Sequence, residues 1–555
     1  MFASIWWPIV FGDREAPTTA IERGFMIMSS MARKLADPGA DSACAMHCGL
    51  APLVRLASAR GALQLRGLSF QEPPMSRALL LLLAAAPALA QTTSHRQERL
   101  GTIDFHTSGA AAAQADFNTG VLYMHSFEYE LAADAFRAAQ ANDPGYAMAY
   151  WGEAMSHTHP LWNEQDSIAA RSVLARLAPT REARAAKAPT ARERAWLGAV
   201  EILYGEGSKP RRDTLYARAM ERLAAEYPDD EARAFLALAY LGLNQAVRDV
   251  PSYMRAGAIA LDILQRNPDH PGAAHYAIHA FDDPAHAPLG LGAARAYSGI
   301  APGAAHAQHM TTHIFLAMGM WPEVISQNTI ASGPDRERWT ASHYTYWLHY
   351  GLLQSGRIDE ATALLDELHS HEGRNPSRRG RVHLALARAQ QVVTAERWND
   401  PALAWPLASE SLHPIVAAVD EFTRGFSARQ VGDVETAATA AATLERNANS
   451  AGAEQIPGLL ARQLQAALSR ARGDTSGAEL QLRAVALAAA ALPVEFGPPD
   501  FAKPPYELLG EWLLADGRPA DARQAFEAAL ALMPGRLLSL RGLKQANEAL
   551  AVAAR

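Results

Sequence analysis

Seven of the nineteen histidines in this 555-residue chain fall in one short stretch: His270, His275, His279, His286, His306, His309 and His313. His275 and His279 are four residues apart, as are His309 and His313, which puts both rings of each pair on one side of a helix. Imidazoles turned to one another are the donor set a divalent transition metal takes, whether zinc, copper, iron or manganese. They are also what a polar groove for a partner would carry. Neither pair is His-Glu-x-x-His, because Tyr276 and Met310 follow the first histidine of each. A metalloprotease with glutamate as its base is therefore excluded. A histidine on an apolar helix face has an ordinary use too, as a hydrogen-bonded core residue. His286, His349, His369, His371, His383 and His413 take that reading, or simple exposure.

The elements that position these residues are helices. Composition is 49% apolar and alanine is abundant, while alternation of β-branched and aromatic residues is hard to find. The formal net charge of -7 is mild. The best basic group, Arg378, Arg379 and Arg381, reads as a solvated loop, so no nucleic-acid partner is expected. No phosphate-cradling glycine loop or serine nucleophile elbow is evident.

From Met75 the chain reads MSRALLLLLAAAPALAQTTS. Arg77 is a short positive region, Leu79 to Ala86 an apolar one, and Ala88-Leu89-Ala90 a small-x-small cleavage site. This predicts a signal peptide cleaved after Ala90 and a periplasmic or secreted protein. The apolar run is short for a membrane span, so none is expected in the mature chain. Residues 1–74 read as translation from a start placed too far upstream, or else as a disordered N-terminal extension. They hold the only cysteines, Cys44 and Cys48, so the mature chain would have neither disulfide nor thiolate ligand.

Self-similarity follows. Tyr506 to Pro534 reads YELLGEWLLADGRPADARQAFEAALALMP, with Leu509, Gly510, Ala522, Phe526 and Ala529 in fixed places and Gly517 at a turn. A second unit, Ala113 to Pro144, carries Gly120, Tyr123, Ala132, Phe136 and Ala139. Both resemble the tetratricopeptide repeat, whose small residues let two antiparallel helices approach and whose large ones fill the gap. Weaker units are marked by Ala256 and Pro268, by Gly319 and Val324, by Gly356 and Ala361, and by Gly432 and Ala437. The stretches FNTGVLYMHSFEYELAADAFRAAQANDPGYAMAYWGEAMSH, HPGAAHYAIHAFDDPAHA and HAQHMTTHIFLAMGMWPEVI are similar to a family of bacterial tetratricopeptide-repeat proteins. The resemblance implies an all-α superhelix of helical repeats (an α-solenoid with some degenerate units) and export. It implies no reaction.

It also implies a concave groove lined from positions 2, 5, 9, 12 and 13 of each first helix. Numbered from the turn at Gly319, His306, His309 and His313 fall at 2, 5 and 9. In the unit before, His275 and His279 fall at 5 and 9, followed by Asp282 and Asp283. In the unit after, His343, Tyr346 and Tyr350 fall at 2, 5 and 9; His125 and His159 fall at 13 of the first two units. Neighbouring first helices are about 8–10 Å apart, so these side chains should converge. Two functions result. The first is a scaffold presenting the groove to a peptide or protein, lined by His125, His159, His306, His343, Tyr346 and Tyr350. The second is a metal-binding protein or metal-dependent enzyme, with His275, His279, His309 and His313 on one ion and Asp282 in support.

The organisation expected is residues 1–74 upstream, 75–90 leader, 91–112 linker and 113–369 a repeat array with the histidine-rich groove. Degenerate repeats follow over 370–491, then a proline-rich loop and final repeat over 492–555. Irregular spacers are expected over 170–212 and 370–410. The loop Leu492 to Pro505, with Glu495, Asp500 and Lys503, is long enough to fold over the groove mouth.

Overall fold

The structure, a computed structural model, describes residues 99–243, 248–450, 455–494 and 496–554. The expected leader, the upstream segment with Cys44 and Cys48, and Glu495 lie outside the described residues.

Among the described residues the chain is almost wholly helical, with 23 α-helices, nearly all of which pack on the next. The first half comprises α1 (Ala111–His125), α2 (Tyr129–Asn142), α3 (Ala147–Met155), α4 (Ser167–Leu177), α5 (Arg181–Ala185), α6 (Ala191–Leu203), α7 (Lys209–Glu226), α8 (Asp230–Gly242), α9 (Val250–Arg266), α10 (Pro271–Ala280), α11 (Ala287–Ile300), α12 (Ala305–Ala317) and α13 (Trp321–Ala331). The second comprises α14 (His343–Gln354), α15 (Ile358–Arg374), α16 (Arg378–Thr394), α17 (Pro414–Gln430), α18 (Val434–Ser450), α19 (Gln455–Ala471), α20 (Thr475–Ala490), α21 (Pro505–Ala515), α22 (Pro519–Leu532) and α23 (Leu537–Ala553). This is an all-α helical-repeat superhelix. The one sheet among the described residues is a ribbon of β1 (Thr158–His159) and β2 (Glu164–Gln165), antiparallel, with Thr158 opposite Gln165.

The residues that marked the repeats act as the spacing implied. A methyl group on Gly120 would lie 2.6 Å from the ring of Phe136, and one on Gly510 would lie 2.8 Å from that of Phe526. Each glycine therefore lets the second helix seat its phenylalanine against the first. The expected spacer over 170–212 is more regular than its sequence suggested. It holds α5 and α6, the latter started by a reciprocal capping box between Thr190 and Glu193. The spacer over 370–410 holds the end of α15 and the 17-residue helix α16, with a short break at 375–377 and largely irregular chain over 395–413.

Two apolar cores run along the array. One extends from Leu100 to Val324 and includes Tyr350; the other extends from Trp339 to Ala546. α14 joins them, giving Tyr350 to the first and Tyr346 and Trp347 to the second. The C-terminal repeat then docks on this junction. Trp321 Nε1 donates to the carbonyl of Gly535 (3.0 Å), and the Leu537 amide donates to Gln354 Oε1 (2.9 Å). Gly319 turns α12 into α13 at φ +69°, where a side chain is disfavoured, and a methyl group there would also meet the Pro534 carbonyl at 2.7 Å. The fully buried Arg536 pairs with Glu507 (2.7 Å) and donates to the Ala502 carbonyl (2.7 Å). No described helix is long and apolar enough to cross a membrane.

Candidate metal centre

α10, α12 and α14 are first helices of consecutive units. Their histidines meet on the inner face, where they form two triads. His275, His279 and His306 bring one ligand nitrogen each to within 4.8 Å of one another, and so do His309, His313 and His343. The four imidazoles expected on one ion are thus divided between two clusters. Each i/i+4 pair takes its third member from the start of the next first helix. The reason is the offset of neighbouring helices: position 2 of one lies beside positions 5 and 9 of the one before.

Hydrogen bonds to the outer nitrogens orient the rings. His275 Nδ1 lies 2.7 Å from the backbone carbonyl of His125, which can only accept. That carbonyl is in the last turn of α1, where helix carbonyls lack intrahelical partners and the helix dipole is negative. His313 Nδ1 lies 2.5 Å from Asp282 Oδ2. His309 Nδ1 lies 2.7 Å from Asn328 Oδ1. The Asn328 amide cannot be the other way round, because its Nδ2 donates to the Val324 carbonyl (3.0 Å). As neutral rings, His275, His309 and His313 therefore carry their proton on Nδ1 and a lone pair on Nε2.

The inner nitrogens are then conspicuous. His309 Nε2 and His313 Nε2 stand 3.2 Å apart, close enough to share a proton or a metal ion. In the other triad, His275 Nε2 and His279 Nε2 stand 3.1 Å apart. Two nitrogens on one tetrahedral zinc, at about 2.0–2.1 Å each, lie about 3.3–3.4 Å apart. His279 Nδ1 and His306 Nε2 are buried with no hydrogen-bond partner. Burial, reinforced by the neighbouring rings, holds His279, His306, His309 and His343 well below the usual imidazole range and pushes His275 down to about 3. Neutral imidazole is the form that binds a metal. Outer-nitrogen bonds to a carboxylate, an amide and a carbonyl are the supports that orient metal-bound histidines. Three imidazoles leave a tetrahedral ion one open position, where a bound water becomes a nucleophile near neutral pH.

Aromatic rings wall the triads. Phe127 lies 4.2 Å from His275 and 5.8 Å from His306 between ring centroids. Its φ is +56°, at the turn position that Gly319 occupies in the later unit, so its ring is placed at a backbone cost of about 1–3 kcal/mol. Trp347 lies 4.5 Å from His313 and 4.8 Å from His309. The proline-rich loop does reach this face. Phe496 lies 6.3 Å from His313, Arg248 sits over the Phe496 ring, and Gly497 is pressed against Trp347. A small pocket beside Asp282 is bounded by Trp321, Tyr350, Gly497 and Pro534.

Several residues expected to line an open groove do not. His125 is fully buried: its Nε2 lies 2.9 Å from Glu231 and its Nδ1 2.9 Å from the Tyr276 hydroxyl. Tyr346 and Tyr350 are buried where the two cores join. Neighbouring helices fill the space around His125, and the C-terminal part of the chain fills it at Tyr350 and Tyr346. His306 and His343 are half-buried members of the triads, and His159 is half-buried and stacked on Tyr129 at 4.1 Å. Asp282 holds His313 and is not a member of either triad.

A third cluster was not apparent from spacing. His125, Glu231 and His270 are fully buried and group within the same limit. His270 Nδ1 accepts from the Ala273 amide as the cap of α10, so its Nε2 carries the proton and faces Glu231 Oε1 at 3.2 Å. Burial alone would raise the Glu231 carboxyl, but His125 and His270 hold it well below the usual carboxylate range. The carboxylate thus accepts one N–H bond from His125 and lies against His270 Nε2, a staple between α1, α8 and α10. Asn328, Glu231 and Phe127 were also missed, since each acts on a histidine distant in sequence.

No family model matches the chain, and no curated protein matches it in sequence. Among solved structures it is similar to yeast Tom70, at 13% identity over 80% of this chain and 96% of that one, with a TM-score of 0.35. It is also similar to the APC/C hetero-tetramer Cut9–Hcn1, at 13% identity over 80% and 78%, with a TM-score of 0.33. The TPR domain of P58(IPK) matches at 13% identity over 80% and 99%, with a TM-score of 0.21. Likenesses at these scores carry no argument, and the repeat architecture rests on the helix pairing described above.

Proposed function

We propose that this chain is an exported metal-binding protein that holds a transition metal among the histidines of its repeat face. The observation that supports this best is the His309–His313 pair. Both Nδ1 atoms are committed as donors, to Asn328 and Asp282, and both Nε2 atoms face each other at 3.2 Å. A metal ion between them would be held by both nitrogens. The deciding experiment is elemental analysis of untagged protein. Stoichiometric metal that disappears in His309→Ala supports the reading. Metal-free protein that takes up none of zinc, copper, iron or manganese on dialysis would sink it. Export is tested by mass spectrometry of the mature N-terminus, with Gln91 expected and Met1 overturning it.

A protein-binding scaffold is the second reading. Helical-repeat architecture as such presents extended surfaces to partners. Leu480 and Leu487, 72% and 65% exposed, lie seven residues apart on one side of α20, which places an apolar strip there rather than in the histidine groove. Leu480→Asp should abolish co-purification of a partner if that strip is the contact, and an unchanged pull-down would remove it.

A further inference from the structure

The arrangement that supports a metal among the histidines occurs twice. His275 and His309 are 34 residues apart, as are His279 and His313, and 34 residues is the repeat period. The third members, His306 and His343, stand 37 residues apart at the second residue of α12 and the first of α14, the additional residues being absorbed before α14. Resting on the metal-binding reading above, we propose that the chain holds two transition-metal ions, one in each triad, as a paired centre built by translation along the array.

The geometry favours two ions over one. Each inner pair spans 3.1 or 3.2 Å, close to the separation of two ligands on one ion, so each pair can supply two ligands to an ion of its own. Each finds its third nitrogen from the following helix, within 4.8 Å, and not from the other pair. An ion shared by both pairs would need all four nitrogens about 3.3–3.4 Å from one another, and the two pairs do not group together. Yet the triads are close neighbours: the His279 and His313 rings are 5.9 Å apart, and those of His306 and His309 are 6.2 Å apart. Two ions would sit side by side, each with its fourth position free.

Charge is consistent with this. All six ligands are imidazoles and none of them is anionic, so each ion needs negative charge nearby. Asp282 supplies it to one triad through His313. The end of α1, through the carbonyl of His125, supplies it to the other through His275, with the Glu231 carboxylate behind the His125 ring. Each triad thus has its own electrostatic support, as two separate sites require. Asp283, adjacent in sequence, is neutralised by Arg248 at 2.8 Å and takes no part.

The test uses untagged full-length protein stripped by chelator and dialysed against zinc. Two zinc ions per chain are expected, falling to one in His306→Ala, one in His343→Ala and none in the double variant. One ion per chain, lost in both single variants, would overturn the paired centre while leaving the metal-binding reading intact. No zinc in wild type would overturn both. Should either alanine variant fail to fold, wild type loaded with two equivalents of copper(II) decides the matter by electron paramagnetic resonance. A dipolar-coupled pair is expected, and a magnetically isolated spectrum at full loading excludes neighbouring ions.

Discussion

The two triads are the same device in consecutive repeats, yet they are held differently. His275 rests on a backbone carbonyl, that of His125, whereas His309 and His313 rest on the side chains of Asn328 and Asp282. The first is walled by Phe127 and lies within one core; the second is walled by Trp347 and straddles the junction of both. A backbone support is as rigid as its helix and cannot be removed by substitution. Side-chain supports can be tuned, and they tie the second triad to α13 and to the turn after α10. The first triad is therefore the more rigid and the second the more adjustable.

Acid should produce the largest effect on this comparison. In the unfolded chain histidine takes up a proton near pH 6.5, but folded His275 does so only at about 3. A depressed value favours the folded state above about pH 6.5 and loses that contribution as pH falls toward 3. His279, His306, His309 and His343 shift in the same direction. Denaturant melts of metal-free protein should show stability falling steadily through this window, and zinc should be released over the same range. A flat profile from pH 7 to 4 would mean the rings are not buried as described.

Removing a support comes next. Asp282→Ala or Asn328→Ala should weaken metal at the second triad about 10–100-fold, the usual cost of an outer hydrogen bond, and leave the first unchanged. Competition with a chelator measures it. Equal loss at both triads would erase the distinction between them. A smaller effect, and one indifferent to metal, is expected from Gly510→Ala, which forces the added methyl against Phe526 and should cost about 1–3 kcal/mol by thermal melting. The site should keep its stoichiometry. The smallest effect belongs to Phe496→Ala, which should speed metal release from the second triad in stopped-flow chelation without altering how much binds.

Most of the fold was legible because it is written locally. Gly120 with Phe136, and Gly510 with Phe526, lie within single units, so spacing alone pairs them. The histidines were half legible. Four-residue spacing gave each pair, and repeat numbering brought His306 and His343 to the same face. That numbering could not show that position 2 of one helix completes the pair on the helix before, which depends on the offset between neighbours. Nor could it show Asn328 and Glu231, whose partners lie 19 and 106 residues away. The open groove was read by analogy with regular arrays. It failed at His125 because α8 and α10 bury that ring, and at Tyr346 and Tyr350 because the chain's own loop and C-terminal repeat fill the space.

That docking has a kinetic consequence. A repeat array ordinarily folds from nearest-neighbour contacts, so any stretch can nucleate and growth can proceed from either end. Here the Trp321 indole waits for a carbonyl 214 residues further on, and Gln354 for an amide 183 residues away. Such contacts require closing a long loop before they contribute, which slows the step that makes them. The histidine helices can therefore form early from their neighbours, while the loop and final repeat that cover the second triad arrive late. During folding that triad passes through an interval in which it is assembled and still open to ions from solution.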